Sequence, residues 1–164
     1  MNSTERDLAV QLGKSLSAHR WSIATAESCT GGLIAAIITD VPASSGWFER
    51  GFVTYSNEAK QEMLDVQRAT LEAHGAVSEA IAREMANGAL KHSRADVTVA
   101  VTGIAGPDGG SEEKPVGTVW LAWAWPNGEI TAERRVFPGN RDEVRRLTAE
   151  HAFRTLVERM ENDF

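Results

Sequence analysis

One stretch constrains this chain more than any other: Thr25-Ala26-Glu27-Ser28-Cys29-Thr30-Gly31-Gly32. An apolar, strand-like approach, Trp21-Ser22-Ile23-Ala24, runs into it, and an apolar helical run, Leu33-Ile34-Ala35-Ala36-Ile37-Ile38, leaves it. Strand, tight turn and helix in that order lift a hydroxyl clear of a sheet and turn backbone N–H groups toward an incoming ligand. Ser28, Cys29 and Thr30 are thus consecutive candidates for a nucleophile or a phosphate contact. The plain alternative is a Ser/Thr cap on an ordinary helix. A second Gly-rich turn after another strand-like run, near Gly103, favours a site.

The rest of the chain reads in alternating periods. Leu8, Leu12 and Leu16 recur behind Thr4, which has Asp7 three positions on, and predict a capped helix over about residues 4–19. The first strand covers residues 21–27 and the next helix Gly31 to about Thr39. Pro42 and Ser44-Ser45-Gly46 mark a loop. Gly51-Phe52-Val53-Thr54-Tyr55 is a short second strand, and Ser56-Asn57 caps a helix from Glu58 to about Leu64. Residues 68–74 form a further short helix stopped by Gly75. Ser78 caps a clearer one through about Lys91, with Ile81, Met85, Ala89 and Leu90 inward. Residues 96–102 make a third strand whose nearly continuous apolar character suits cover on both faces. The Gly-rich loop 103–114 leads to strands at 116–125 and 130–137 joined by the turn Pro126-Asn127-Gly128. Asn140, with Glu143 three residues on, caps a last helix to about Met160.

Helices alternating with strands, followed by a late hairpin, predict a single three-layer α/β/α domain over residues 1–164. Its mixed, mostly five-stranded sheet should carry the hairpin antiparallel. In such open sheets ligands sit outside the carboxyl ends of strands. The loops after the first and third strands should then face one crevice, joined by the Tyr55–Lys60 loop. A net charge of −6 argues against a nucleic-acid or anionic-membrane partner. No run is long enough to span a bilayer and no signal peptide opens the chain, so the expectation is a cytoplasmic protein. A single cysteine excludes a disulfide framework and a Cys-rich zinc site.

His19, His74, His92 and His151 fall in or at the ends of helices without ligand spacing, so neither a Ser-His-Asp triad nor a metal site is supported. A serine nucleophile then needs another base, and a desolvated lysine is the usual substitute. Lys60, on the first turn after the second strand, is the candidate, since burial and the positive end of a helix dipole both disfavour its charged form. A solvated helix lysine is the alternative. Tyr55 is either core or a phenol able to relay a proton. Cys29 is a rival nucleophile or a buried structural thiol. Arg141, behind the Asn140 cap, is either a phosphate ligand or a solvated first-turn arginine. The loop from Gly103 to Gly110 does not match the Walker pattern, although a generic anion-holding turn fits it.

These motifs closely resemble the CinA C-terminal domain family. The likeness rests on Thr25 to Gly32, Gly51 to Lys60, Gly75-Ala76-Val77-Ser78, Thr102 to Gly110 and Lys114-Pro115-Val116-Gly117-Thr118-Val119, in order over essentially the whole chain. It is nearest the stand-alone form without a larger N-terminal domain. The resemblance implies hydrolysis of the carboxamide of nicotinamide mononucleotide to nicotinate mononucleotide and ammonia. It implies Ser28 as nucleophile with Lys60 and Tyr55, and no metal or nucleotide cofactor. It further implies substrate contacts at Thr30, Gly31, Gly32, Gly103, Ala105, Gly106 and Arg141, and a homo-oligomer. Two rival readings remain at this point: a non-catalytic nucleotide-binding or regulatory module, and an amidase using Cys29.

Overall fold

The computed structural model describes residues 2–164. The run ahead of the first Gly-rich turn forms β1 (Ile23–Glu27) with all five residues buried. Parallel partners flank β1 on both sides: β2 (Phe48–Val53) at the edge and β3 (Val97–Gly103) toward the middle. β4 (Thr118–Ala124) and β5 (Ile130–Val136) extend the sheet antiparallel, giving the order β2-β1-β3-β4-β5. The mixed five-stranded sheet and its late antiparallel hairpin match the sequence expectation.

The two faces of the sheet carry side chains of different size, and this decides which helices cover them. Val97, Val99, Val101, Val119, Leu121 and Trp123 face one layer, made of α1 (Ser3–His19), α2 (Leu33–Thr39) and α6 (Arg141–Asp163). Ala26, Ala100, Ala122 and Ala124 face the other. There α5 (Glu79–Lys91), itself carrying Ala82, Ala86 and Ala89 inward, lies across the strands. α3 (Asn57–Leu64) and α4 (Arg68–His74) pack beside α5. Small residues on both surfaces let helix and sheet approach closely, while the bulky face fills the wider gap beneath three helices. At Gly88 of α5 a Cβ would overlap the Leu64 carbonyl, so the end of α3 can press against α5 only over a glycine. That contact holds α3 where its first turn reaches the sheet.

Most boundaries shift by a residue or two from the sequence reading, and three of the shifts have a clear partner. The cap of α1 is Asn2, whose side chain accepts from Glu5 N–H while Glu5 reaches back, rather than Thr4 with Asp7. Glu5 is fully buried and also pairs with Arg146 of α6, which explains why the earlier cap wins. β2 begins at Phe48 because Ile23 pairs with it across β1, and it ends at Val53, leaving Tyr55 in the loop beyond. α6 runs on to Asp163, where Asp163 pairs with Arg159.

Candidate active site

The loops leaving β1, β2 and β3 converge at the carboxyl ends of the parallel strands around a cavity of about 300 Å³. Ser28 and Cys29 line it from the first loop, Tyr55, Asn57 and Lys60 from the second, and Gly103, Ala105, Gly106 and Asp108 from the third. Arg141 closes it from the first turn of α6.

Lys60 enters because of its place on α3. Ser56 caps that helix by accepting from Ala59 N–H, and Lys60 and Leu64, four apart, share its buried face. With Leu64 held against Gly88, the lysine side chain is driven inward and is 1% exposed. Its Nζ lies 3.0 Å from Ser28 Oγ, 3.0 Å from the Thr54 carbonyl and 3.1 Å from the Tyr55 carbonyl. Two of these neighbours accept only, whereas the hydroxyl can also donate. A neutral amine fits the set with two N–H bonds to the carbonyls and its lone pair toward the Ser28 hydroxyl. Burial lowers the lysine pKa from its ordinary value, and none of its hydrogen-bond partners is a carboxylate that would restore the charge.

The remaining candidates fall into separate groups. Burial, reinforced by the Glu27 carboxylate, pushes the Cys29 thiol up to about 12, so at neutral pH it is held as an unreactive thiol. The Tyr55 phenol is not interposed between Ser28 and Lys60, which touch directly. It is 62% exposed, and its hydroxyl oxygen accepts from Arg141 Nη2 at 3.2 Å. Arg141 Nη1 donates to the Gly106 carbonyl at 2.8 Å, so this arginine ties together the loops after β2 and β3 and keeps further N–H bonds for an anion. It is an exposed first-turn residue, as the sequence allowed, whose guanidinium nonetheless bridges two loops of the cavity.

Thr30, Gly31 and Gly32 are not among the cavity-lining residues. Gly31 and Gly32 adopt positive φ values of 60° and 104°, which let the chain reverse before α2. The N–H groups that follow are taken internally: the Glu27 carboxylate accepts from Gly32, Ile34 and Ala35 N–H and from the Thr30 hydroxyl. These three residues were expected to contact substrate, and in this arrangement they shape the turn that presents Ser28. The sequence reading passed over Glu27 as strand, and also missed Asn57 and Asp108 in the lining and the carbonyls that hold Lys60. None of the four histidines lines the cavity; His92 pairs with Asp65 and His151 with Glu133. Among the described residues no group of three or more His, Cys, Asp or Glu is placed to hold a metal ion.

A family model for the CinA C-terminal domain matches residues 5–160. The chain belongs to the CinA C-terminal domain family. Nicotinamide-nucleotide amidohydrolase PncC of Escherichia coli K12 is 58% identical over 149 residues, which cover 91% of this chain and 90% of that protein. The protein of the same name from Enterobacter agglomerans is 54% identical over 151 residues, 92% of each chain. Among solved structures, the competence/damage inducible protein CihA from Agrobacterium tumefaciens superposes with a TM-score of 0.94 at 44% identity, covering 99% of this chain and 98% of that one. The six-helix, five-stranded α/β/α architecture is therefore that of the family.

Proposed function

We propose that this chain, acting as one CinA C-terminal-type domain, is an amidohydrolase that converts nicotinamide mononucleotide to nicotinate mononucleotide and ammonia. The observation that carries the reading is the buried Lys60 amine 3.0 Å from Ser28 Oγ inside the strand-end cavity, in a chain 58% identical to a nicotinamide-nucleotide amidohydrolase. Neutral Lys60 takes the Ser28 proton as Oγ bonds to the carboxamide carbon, and the carbonyl oxygen becomes an oxyanion. Lys60 then returns the proton to the departing nitrogen, ammonia leaves, and water hydrolyses the nicotinoyl ester. No resident metal or nucleotide cofactor has a step in this scheme.

Charges in the cavity suit the parts of this substrate. Arg141 offers a cation to the 5′-phosphate, with the exposed Tyr55 phenol beside it at the mouth. Asp108 is the one carboxylate lining the cavity, and it offers an anion to the pyridinium ring. That ring charge also makes the carboxamide carbon more electrophilic than in a neutral pyridine.

Among the described residues no helix is long and apolar enough to cross a membrane. The reading also takes in a cytoplasmic, homo-oligomeric protein with a small-molecule substrate and no membrane partner, and the net charge of −6 speaks against a nucleic-acid partner. The deciding experiment is ammonia release from nicotinamide, its riboside and its mononucleotide. Turnover of the mononucleotide is expected, with Ser28→Ala slower by about a thousandfold or more. A protein that binds the mononucleotide tightly without releasing ammonia would be a binding module instead.

A further inference from the structure

The turn that presents Ser28 is held from two sides by opposite charges. Glu27, the last residue of β1 and 1% exposed, accepts at one carboxylate oxygen from the Thr30 hydroxyl (2.6 Å), Gly32 N–H (3.2 Å) and Ile34 N–H (2.9 Å). Its other oxygen accepts from Ala35 N–H at 3.0 Å. On the opposite side the half-buried Arg145 of α6 donates from Nη2 to the Thr30 carbonyl at 2.7 Å. Ser28 N–H is itself fixed to the Val101 carbonyl of β3. Between these anchors, Cys29 lines the cavity and its backbone N–H has no oxygen acceptor among the described residues.

We propose that Glu27 and Arg145 are positioning residues for acyl transfer: they hold the Ser28–Gly31 turn so that Ser28 Oγ meets Lys60 Nζ while the N–H of Cys29, which lines the cavity, stays open to the developing oxyanion. The inference rests on the amidohydrolase reading for its substrate, but its geometry is that of any acyl transfer to Ser28. As the Oγ–carbon bond forms, the proton passes to Lys60 Nζ and the carbonyl π electrons move to oxygen, where the fixed Cys29 N–H stabilises them. The anion-attracting end of α2 is already filled by Glu27, so those amides do not serve the substrate. What Glu27 does is spend that end of the helix on rigidity.

The chemistry of the two side chains sets the test. Glu27→Gln keeps one carbonyl oxygen for the three donors on the first side but turns an NH₂ group against Ala35 N–H, so the turn must shift. A displacement near 1 Å costs on the order of a hundredfold in an acyl-transfer step. Glu27→Gln should therefore lower kcat for ammonia release from the mononucleotide by about a hundredfold with KM within about threefold. Arg145→Ala should lower kcat by about tenfold, and Arg145→Lys, which still offers an N–H donor, should recover much of that loss.

A second readout is the rate at which Ser28 is labelled by a fluorophosphonate, which needs no nucleotide. It should fall in parallel with kcat. Thermal denaturation establishes that each variant is folded; if Glu27→Gln is not, the Arg145 pair decides alone. Folded variants with wild-type kcat and wild-type labelling overturn the positioning role, as does a loss confined to KM. If the wild type labels normally but releases no ammonia from the mononucleotide, and the variants label slowly, the substrate reading fails while the positioning role stands.

Discussion

A buried, catalytically useful lysine leaves a signature in stability as well as in rate, and Lys60→Met reads both. At its ordinary pKa of 10.5 a lysine is neutral about once in a thousand molecules near pH 7.5, and each unit of lowering multiplies that fraction tenfold. Lys60 is 1% exposed and hydrogen-bonded only to a hydroxyl and two carbonyls, so desolvation lowers its pKa in the folded state. The unfolded chain then binds more protons between the folded and unfolded pKa values, and unfolding free energy rises with pH across that window. The slope reaches at most about 1.4 kcal/mol per pH unit. Below the folded pKa the charged amine is a constant burden on the native state; the burden shrinks as pH rises through the window and is gone only above the unfolded pKa. Lys60→Met removes the titration. It also leaves the Thr54 and Tyr55 carbonyls without a donor, a pH-independent cost of about 1–3 kcal/mol each. Urea unfolding of both proteins from about pH 6 to pH 8.5 should give a wild-type-minus-Met difference that increases with pH. Staying below about pH 9 avoids Cys29, whose raised pKa acts with the opposite sign. Over the same range kcat/KM of the wild type should climb as neutral Lys60 accumulates, and folded Lys60→Arg should lack the climb and most of the activity. A flat or falling stability difference, or an active Lys60→Arg, would refute the neutral-base argument.

Cys29→Ala should retain most activity and resist thiol reagents no better than the wild type, because the thiol is buried with its pKa pushed up to about 12; ammonia-release assays check both points. Arg141→Ala should raise KM for the mononucleotide by about tenfold or more while leaving the riboside nearly unchanged, as steady-state kinetics on both substrates would reveal. An equal loss on the two would assign Arg141 to bridging Tyr55 and Gly106 instead. Arg146→Ala strips the cation from Glu5, which is fully buried, and should cost about 1–3 kcal/mol in urea unfolding without changing kcat.

The fold was legible because local periodicity and tertiary packing agree along most of the chain. Val97, Val99 and Val101 alternating with the smaller Thr98, Ala100 and Thr102 on β3 separate the face that meets the thick helical layer from the one that meets the thin one. Legibility fails where a distant partner decides. Asn2 captures the first cap because Glu5 is also wanted by Arg146, 141 residues away, which no local pattern shows. β2 starts early because β1 lies alongside to pair with it, not because Phe48-Glu49-Arg50 resembles a strand.

The site shows the same division more sharply. Ser28 and Lys60 could be read from sequence because each sits at a break in periodicity, where a strand ends or a helix begins. Their pairing follows only from the need for a base and from the family resemblance, since no local pattern spans the 32 positions between them or shows that Gly88 admits Leu64. That Thr30, Gly31 and Gly32, expected as substrate contacts, do not line the cavity has a plainer cause. A helix N-terminus attracts an anion, and the reading looked for that anion in the substrate although the chain carries one immediately before the turn. Glu27, five residues ahead of Gly32, is close enough for two positive-φ glycines to fold the helix end back onto it. A carboxylate at the end of a buried strand, followed at once by a Gly-Gly reversal, is better read as the helix's own counter-charge than as strand. The N–H left for chemistry is then that of Cys29, next to the serine, and the glycines serve to free it.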